Sequence, residues 1–85
     1  MSYEVKHKPG MFFISLNAEK FSYLKYSIEE GQMIIMSTHT PEEFRGKGHA
    51  AKLMEKAMDY AESRNLHVVP ECSYAKYYLN KRKFF

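Results

Sequence analysis

Tryptophan is absent from this 85-residue chain, cysteine occurs once, and there are only four glycines and three prolines. The lone cysteine, Cys72, excludes an internal disulfide framework. Four histidines with no second cysteine at ligand spacing offer no structural zinc pattern either. No apolar run approaches the roughly twenty residues of a membrane-crossing helix, and the opening MSYEVKHKPG lacks a signal-like apolar core. These absences lead us to expect a reducing, cytoplasmic setting without a membrane partner. Charge of one sign is also scarce: thirteen Lys and Arg against ten Asp and Glu leave a net +3. That modest excess fits an anionic ligand, a nucleic acid or simply solubility.

What is present is an ordinary globular composition, 45% apolar, with seven tyrosines and six phenylalanines to fill a small core. No repeat or linker interrupts it, so residues 1–85 are expected to form one domain. Residues 11–16 (MFFISL), 21–28 (FSYLKYSI) and 32–40 (QMIIMSTHT) read as strands, the last two joined by a hairpin at Glu29, Glu30 and Gly31. The segment before Met11 is a further candidate strand. From Gly48 the apolar period becomes helical: Ala50, Leu53, Met54, Ala57, Met58 and Ala61 recur at three- and four-residue steps. Asn65 is placed to close that helix. Residues 66–69 (LHVV) suit a buried strand stopped by Pro70, and Ser73 is placed to cap a second helix through Ala75, Tyr78 and Leu79. A strand, helix, strand succession implies a right-handed crossover and local parallel pairing. With a meander before it, the fold class is α/β (α+β), with a mixed, mostly antiparallel sheet.

The glycine pair in PEEFRGKGHAAKLM carries the chemistry. A strand ending at Thr40, two glycines and a helix start describe an anion site, because first-turn amides point outward with the helix dipole behind them. Arg45 and Lys47 add formal charge. The Walker loop is excluded, since Gly-Lys-Gly-His offers no hydroxyl for magnesium. The dinucleotide fingerprint fails too, for want of a third glycine and of a carboxylate on the next strand.

The spacing Arg45-x-x-Gly48-x-Ala50 resembles the signature with which the GNAT acyltransferase superfamily holds the pyrophosphate of acyl-coenzyme A. Residues 38–79 resemble in particular its small single-domain members, in which a Val-Pro-x-Cys-Ser segment follows; here it is Val69, Pro70, Glu71, Cys72 and Ser73. The resemblance implies a minimal GNAT-like fold and acetyl-CoA as cofactor. It implies pyrophosphate binding by the amides around Arg45, Gly46, Lys47, Gly48, His49 and Ala50. The pantetheine arm would lie along Ser37, Thr38, His39 and Thr40, and a thioester slot would open towards residues 66–70 with Cys72 and Ser73 at its mouth. The tyrosine that larger members carry on the last helix has no counterpart, because Leu79 stands there if Ala75 is aligned with the usual alanine. Their C-terminal strands, which wall the acceptor site, have none before Phe85.

His39 is the ionisable group nearest the slot and a candidate proton acceptor, its plainer alternative being a solvent-facing strand residue. Cys72, at a helix N-terminus, is a candidate acyl-accepting nucleophile, a pocket-lining group or simply a small buried side chain. His49 is expected to give only its backbone amide. His7 and His67 are read as structural or exposed, and Tyr23, Tyr26, Tyr74 and Tyr77 as packing residues or an aromatic acceptor groove. The leading expectation is an N-acetyltransferase acting on an unidentified amine, small molecule or protein. An acyl-CoA-binding module without transfer comes second. A small nucleic-acid-binding domain using Arg45, Lys47 and residues 81–83 comes last, because acidic residues interrupt the basic ones.

Overall fold

The computed structural model describes residues 4–82. Five strands form one sheet in the order of the chain: β1 (Val5–Lys8), β2 (Met11–Ser15), β3 (Phe21–Glu29), β4 (Gln32–His39) and β5 (His67–Pro70). The first four pair antiparallel and β5 runs parallel to β4, so the expected mixed sheet and the extra strand before Met11 are both present. Helix α1 (His49–Ser63) forms the crossover and α2 (Ser73–Arg82) follows β5. Of the basic run 81–83, Lys83 lies outside the described residues.

Local chemistry sets each corner. Glu30 and Gly31 take φ of 47° and 76°, the doubly left-handed turn that matches the twist of a two-residue hairpin. Asn17 Oδ1 accepts from the amides of Glu19 and Lys20, closing the link between β2 and β3. Asn65, at φ 60°, ends α1 as expected: Leu66 N–H reaches Ala61 O at 2.8 Å and Asn65 N–H reaches Glu62 O at 3.2 Å, a Schellman closure. The start of α2 differs from expectation. Ser73 is already helical, and Cys72 stands at the cap, its Sγ accepting from Ala75 N–H at 3.3 Å. The chain enters α2 one residue earlier because a thiol sulfur replaces a hydroxyl as cap acceptor.

Only one face of the sheet is buried. Phe12, Ile14, Leu24, Tyr26, Met33 and Ile35 share it, and Leu53, Met54, Ala57 and Ala61 of α1 close over it. Burial of such side chains contributes roughly 1.5–3 kcal/mol each. His7 belongs to this face and is structural. Its ring stacks on Phe12 at 4.1 Å, meets the Tyr60 ring edge-on at 4.8 Å, and its Nε2 lies 2.5 Å from Tyr26 Oη. These contacts tie edge strand β1 to β3 and α1.

One irregularity positions everything that follows. Tyr26 pairs with Ile35 but Lys25 pairs with Ser37, so Met36 is an extra residue, a β-bulge, and is 53% exposed. Before it, odd-numbered residues of β4 face the core; after it, Thr38 lies opposite buried Leu24 and His39 opposite Tyr23. The bulge therefore swaps the two faces of the strand midway.

Candidate functional site

Beyond the bulge, β4 loses its parallel neighbour. The β4–β5 ladder ends at Ile35 and Pro70, and both Glu71 N–H and Cys72 N–H turn in to Ile35 O, at 3.0 and 3.3 Å. The half of β4 from residue 36 onward pairs with β3 alone, so the edge it turns towards β5 is left without a ladder partner. Such an edge accepts an extended ligand as an added strand would be accepted.

The end of this half-strand is fixed from beneath. Ser22, fully buried, donates to His39 O at 3.0 Å and lies 2.7 Å from Thr40 Oγ1. From above, Arg45 Nε donates to Thr40 O at 3.0 Å. The arginine thus clasps the strand end to the loop. A short 3-10 turn (Glu42–Phe44) separates the two, and Glu43 is engaged in an ion pair with Lys20.

Gly46 and Gly48 are both left-handed, at φ 80° and 83°, and Gly48 is the N-cap of α1. A Cβ at either position would meet nothing within 4 Å, so the protein requires glycine there for its backbone angle rather than for room among its own atoms. A glycine cap has no side chain to offer the amides of the helix's first turn, which a helix itself does not bond. Those donors, with the dipole behind them, suit a diphosphate.

Strand end, loop and helix start enclose a cleft of ≈ 400 Å³. It is lined by Thr38, His39, Thr40, Phe44, Arg45, Gly46, Gly48, His49, Ala50, Ala51 and Tyr74. Among the residues singled out in the sequence, Ser37, Lys47, Cys72 and Ser73 are not on its wall. Cys72 is half-buried, with its Sγ 4.0 Å from Thr38 Oγ1, one residue removed from the cleft. Lys47 and Ser73 are exposed. The His39 ring stands 5.4 Å from that of Tyr23, on the face opposite the core, so the residue touches both sides of the sheet.

Two side chains matter more than the sequence alone suggests. His49, expected to offer only its amide, is buried at 5% exposure, and burial followed by the charges of Lys52 and Lys47 lowers its pKa, favouring the neutral imidazole. Tyr74 lines the cleft; burial, then Tyr78 and Tyr77, raise its pKa, so its phenol stays protonated. The signal for Tyr74 was its place on the first turn of α2, facing the cleft, but it was masked by the tyrosines around it. Ser22 carried no signal, being a lone serine in an apolar alternation.

Comparisons with known proteins bear on the family and the fold. A family model described as GCN5-related N-acetyl-transferase matches residues 11–84. The NMR solution structure of a GCN5-like protein from Staphylococcus aureus, a candidate N-acetyltransferase, superposes with a TM-score of 0.78 at 26% identity, covering 93% of this chain and 79% of that one. No curated protein matches the sequence. Among the described residues no helix is long and apolar enough to cross a membrane, and no cluster of His, Cys, Asp or Glu could hold a metal ion.

Proposed function

Because this chain belongs to the GCN5-related N-acetyltransferase family, we propose that it is an acetyl-CoA-dependent N-acetyltransferase whose acceptor is a primary amine. The observation that carries the reading is the uncapped N-terminus of α1, behind two left-handed glycines and beside the unpartnered half of β4. When bound, acetyl-CoA supplies an acetyl group activated as a thioester. The amides of residues 46–51 hold the diphosphate, with Arg45 fixing the loop that presents them. The free edge of β4 from residue 36 to 39 bonds the extended pantetheine arm, and one of its N–H groups polarises the carbonyl. His39, reaching the uncovered face, takes the proton released by the amine. The Tyr74 phenol donates to the departing thiolate, a role for which the sequence alignment offered no counterpart.

A second use of the site rests on the contact between Thr38 and Cys72. Cys72 would then accept the acetyl group first, its sulfur bonding to the carbonyl carbon while the coenzyme sulfur leaves with a proton.

Acetyl-CoA is titrated against the amide NMR spectrum, followed by an amine panel read by release of free thiol. Shifts confined to residues 36–40 and 45–51 are expected; no shift at millimolar acetyl-CoA would dispose of the reading. Tyr74→Phe is expected to lower turnover at least tenfold with unchanged acetyl-CoA affinity. Intact mass after brief exposure to acetyl-CoA, compared with Cys72→Ala, decides whether the thiol carries the group.

A further inference from the structure

Among the described residues no helix covers the face of the sheet turned away from the core, and its chemistry is specific. Residues far apart in sequence meet on it because strand partners share a face. Phe13 pairs with Tyr23 and with Lys6, and Met11 with both Lys8 and Lys25. The rings of Phe13, Phe21 and Tyr23 follow one another at 6.4 and 6.0 Å, and the strip continues to His39 at 5.4 Å. Phe21 is 44% exposed, although it is a large apolar side chain on a strand. Lys8 Nζ lies over the Phe13 ring, 5.7 Å from its centre, and Lys25 Nζ over that of Tyr23, 5.3 Å from its centre, so a base stacking on either ring would displace an ammonium group towards its phosphate. Beside the strip a shallow depression of ≈ 330 Å³ is lined by Glu19, Lys20, Phe21, Tyr23, His39 and Pro41. Of the nearby carboxylates, Glu19 lines this depression and Glu43 is paired with Lys20.

We propose that this face binds single-stranded nucleic acid, with Phe13, Phe21 and Tyr23 as base-stacking platforms and Lys6, Lys8 and Lys25 as phosphate contacts. Rings interleaved with lysines, Phe21 exposed and Phe13 and Tyr23 half-buried, match a chain in which flat bases alternate with anionic phosphates. An open sheet presenting two or three aromatics is a known way to hold unpaired bases. Three lysines facing three lysines would repel a second copy of the chain, and a purely acidic peptide would leave the rings unused. The linear sequence argued against this partner for Arg45, Lys47 and residues 81–83; the lysines proposed here stand instead on β1 and β3, while Glu55, Asp59 and Glu62 lie on α1.

The test uses the whole chain with a fluorescent eight-nucleotide oligo-dT or oligo-U at low salt, read by anisotropy, with amide NMR to locate the contact. Micromolar binding is expected, with log K falling against log salt at a slope of about −2, the value for three phosphate contacts on a single strand. Phe21→Ala should weaken it about five- to hundredfold. Lys8→Gln with Lys25→Gln should flatten the slope by about 1.4. Saturating coenzyme A should leave binding unchanged, because the diphosphate loop lies on the other side of β4. Three results would overturn the proposal: no binding at 100 µM protein, NMR shifts confined to residues 45–51, or poly-glutamate binding as tightly as the oligonucleotide.

Discussion

Replacing Gly48 by alanine isolates the conformational demand of the loop. At φ 83° an L-residue carries a penalty of roughly 1–2 kcal/mol, while the open space around the position adds no steric cost. For a domain this small, each kcal/mol lowers the melting temperature by about 4–8 °C, so Gly48→Ala should melt about 5–15 °C lower. Asparagine, which tolerates the left-handed region, should recover at least half of the loss. D-alanine introduced by chemical synthesis favours positive φ and should recover nearly all of it. Thermal unfolding by circular dichroism gives the stabilities, and acetyl-CoA titration of the same variants gives affinities. If the loop relaxes out of the left-handed region instead, stability is spared but the amides of residues 49–51 turn away and acetyl-CoA affinity falls. An L-alanine variant that matches the parent within about 0.3 kcal/mol and still binds acetyl-CoA would refute the reasoning.

Three further outcomes follow from other contacts. Ser22→Ala removes the hydroxyl that holds His39 O and Thr40 Oγ1, and should cost about 1–2 kcal/mol in urea unfolding while raising the KM for acetyl-CoA. Cys72→Ala removes the cap acceptor of α2 and should cost about 0.5–1 kcal/mol, whereas Cys72→Ser should be neutral or stabilising, as read by thermal melts. Burial, and then Arg64, lower the pKa of His7 below 6.5, and burial with Lys52 and Lys47 does the same for His49. The folded state therefore binds fewer protons than the unfolded chain, so stability is complete above about pH 6.5 and declines as pH falls below it. His7→Phe, which keeps the ring stack, should flatten that decline in melts taken between pH 7.5 and 5.

The sequence disclosed those parts of the fold governed by short-range periodicity. The stripe from Ala50 to Ala61, the hairpin at Glu30 and Gly31 and the stop at Asn65 are each written in neighbouring residues, and each stands where it was expected. The loop from Arg45 to Ala50 was legible for the same reason. The signature spacing names Gly48 alone, yet the backbone takes a left-handed angle at Gly46 as well. What stayed hidden depends on partners remote in sequence. Nothing near Met36 announces a bulge, since the extra residue exists only relative to β3. Ser22 reads as a polar interruption until the end of β4 is laid over it. Cys72 took the cap expected of Ser73 because the two differ by one position, finer than propensity resolves. The aromatics of β2 and β3 looked like packing because the covering of a sheet face is a tertiary fact.

The bulge at Met36 also changes how substitutions along β4 should be interpreted. Inside and outside are a matter of parity in a strand, and here parity reverses halfway, with 33 and 35 answering to the core and 38 and 40 taking their place beyond it. A saturation scan should therefore show tolerance alternating in one phase up to residue 35 and in the opposite phase from residue 38, with a single permissive site between. An insertion or deletion of one residue in the first half would move the hydrophobic pattern, whereas deleting Met36 would remove the bulge and leave Ser37, Thr38 and His39 opposite Lys25, Leu24 and Tyr23 as before. The strand is in effect two half-strands spliced out of step, one built for folding and the other free to serve a ligand.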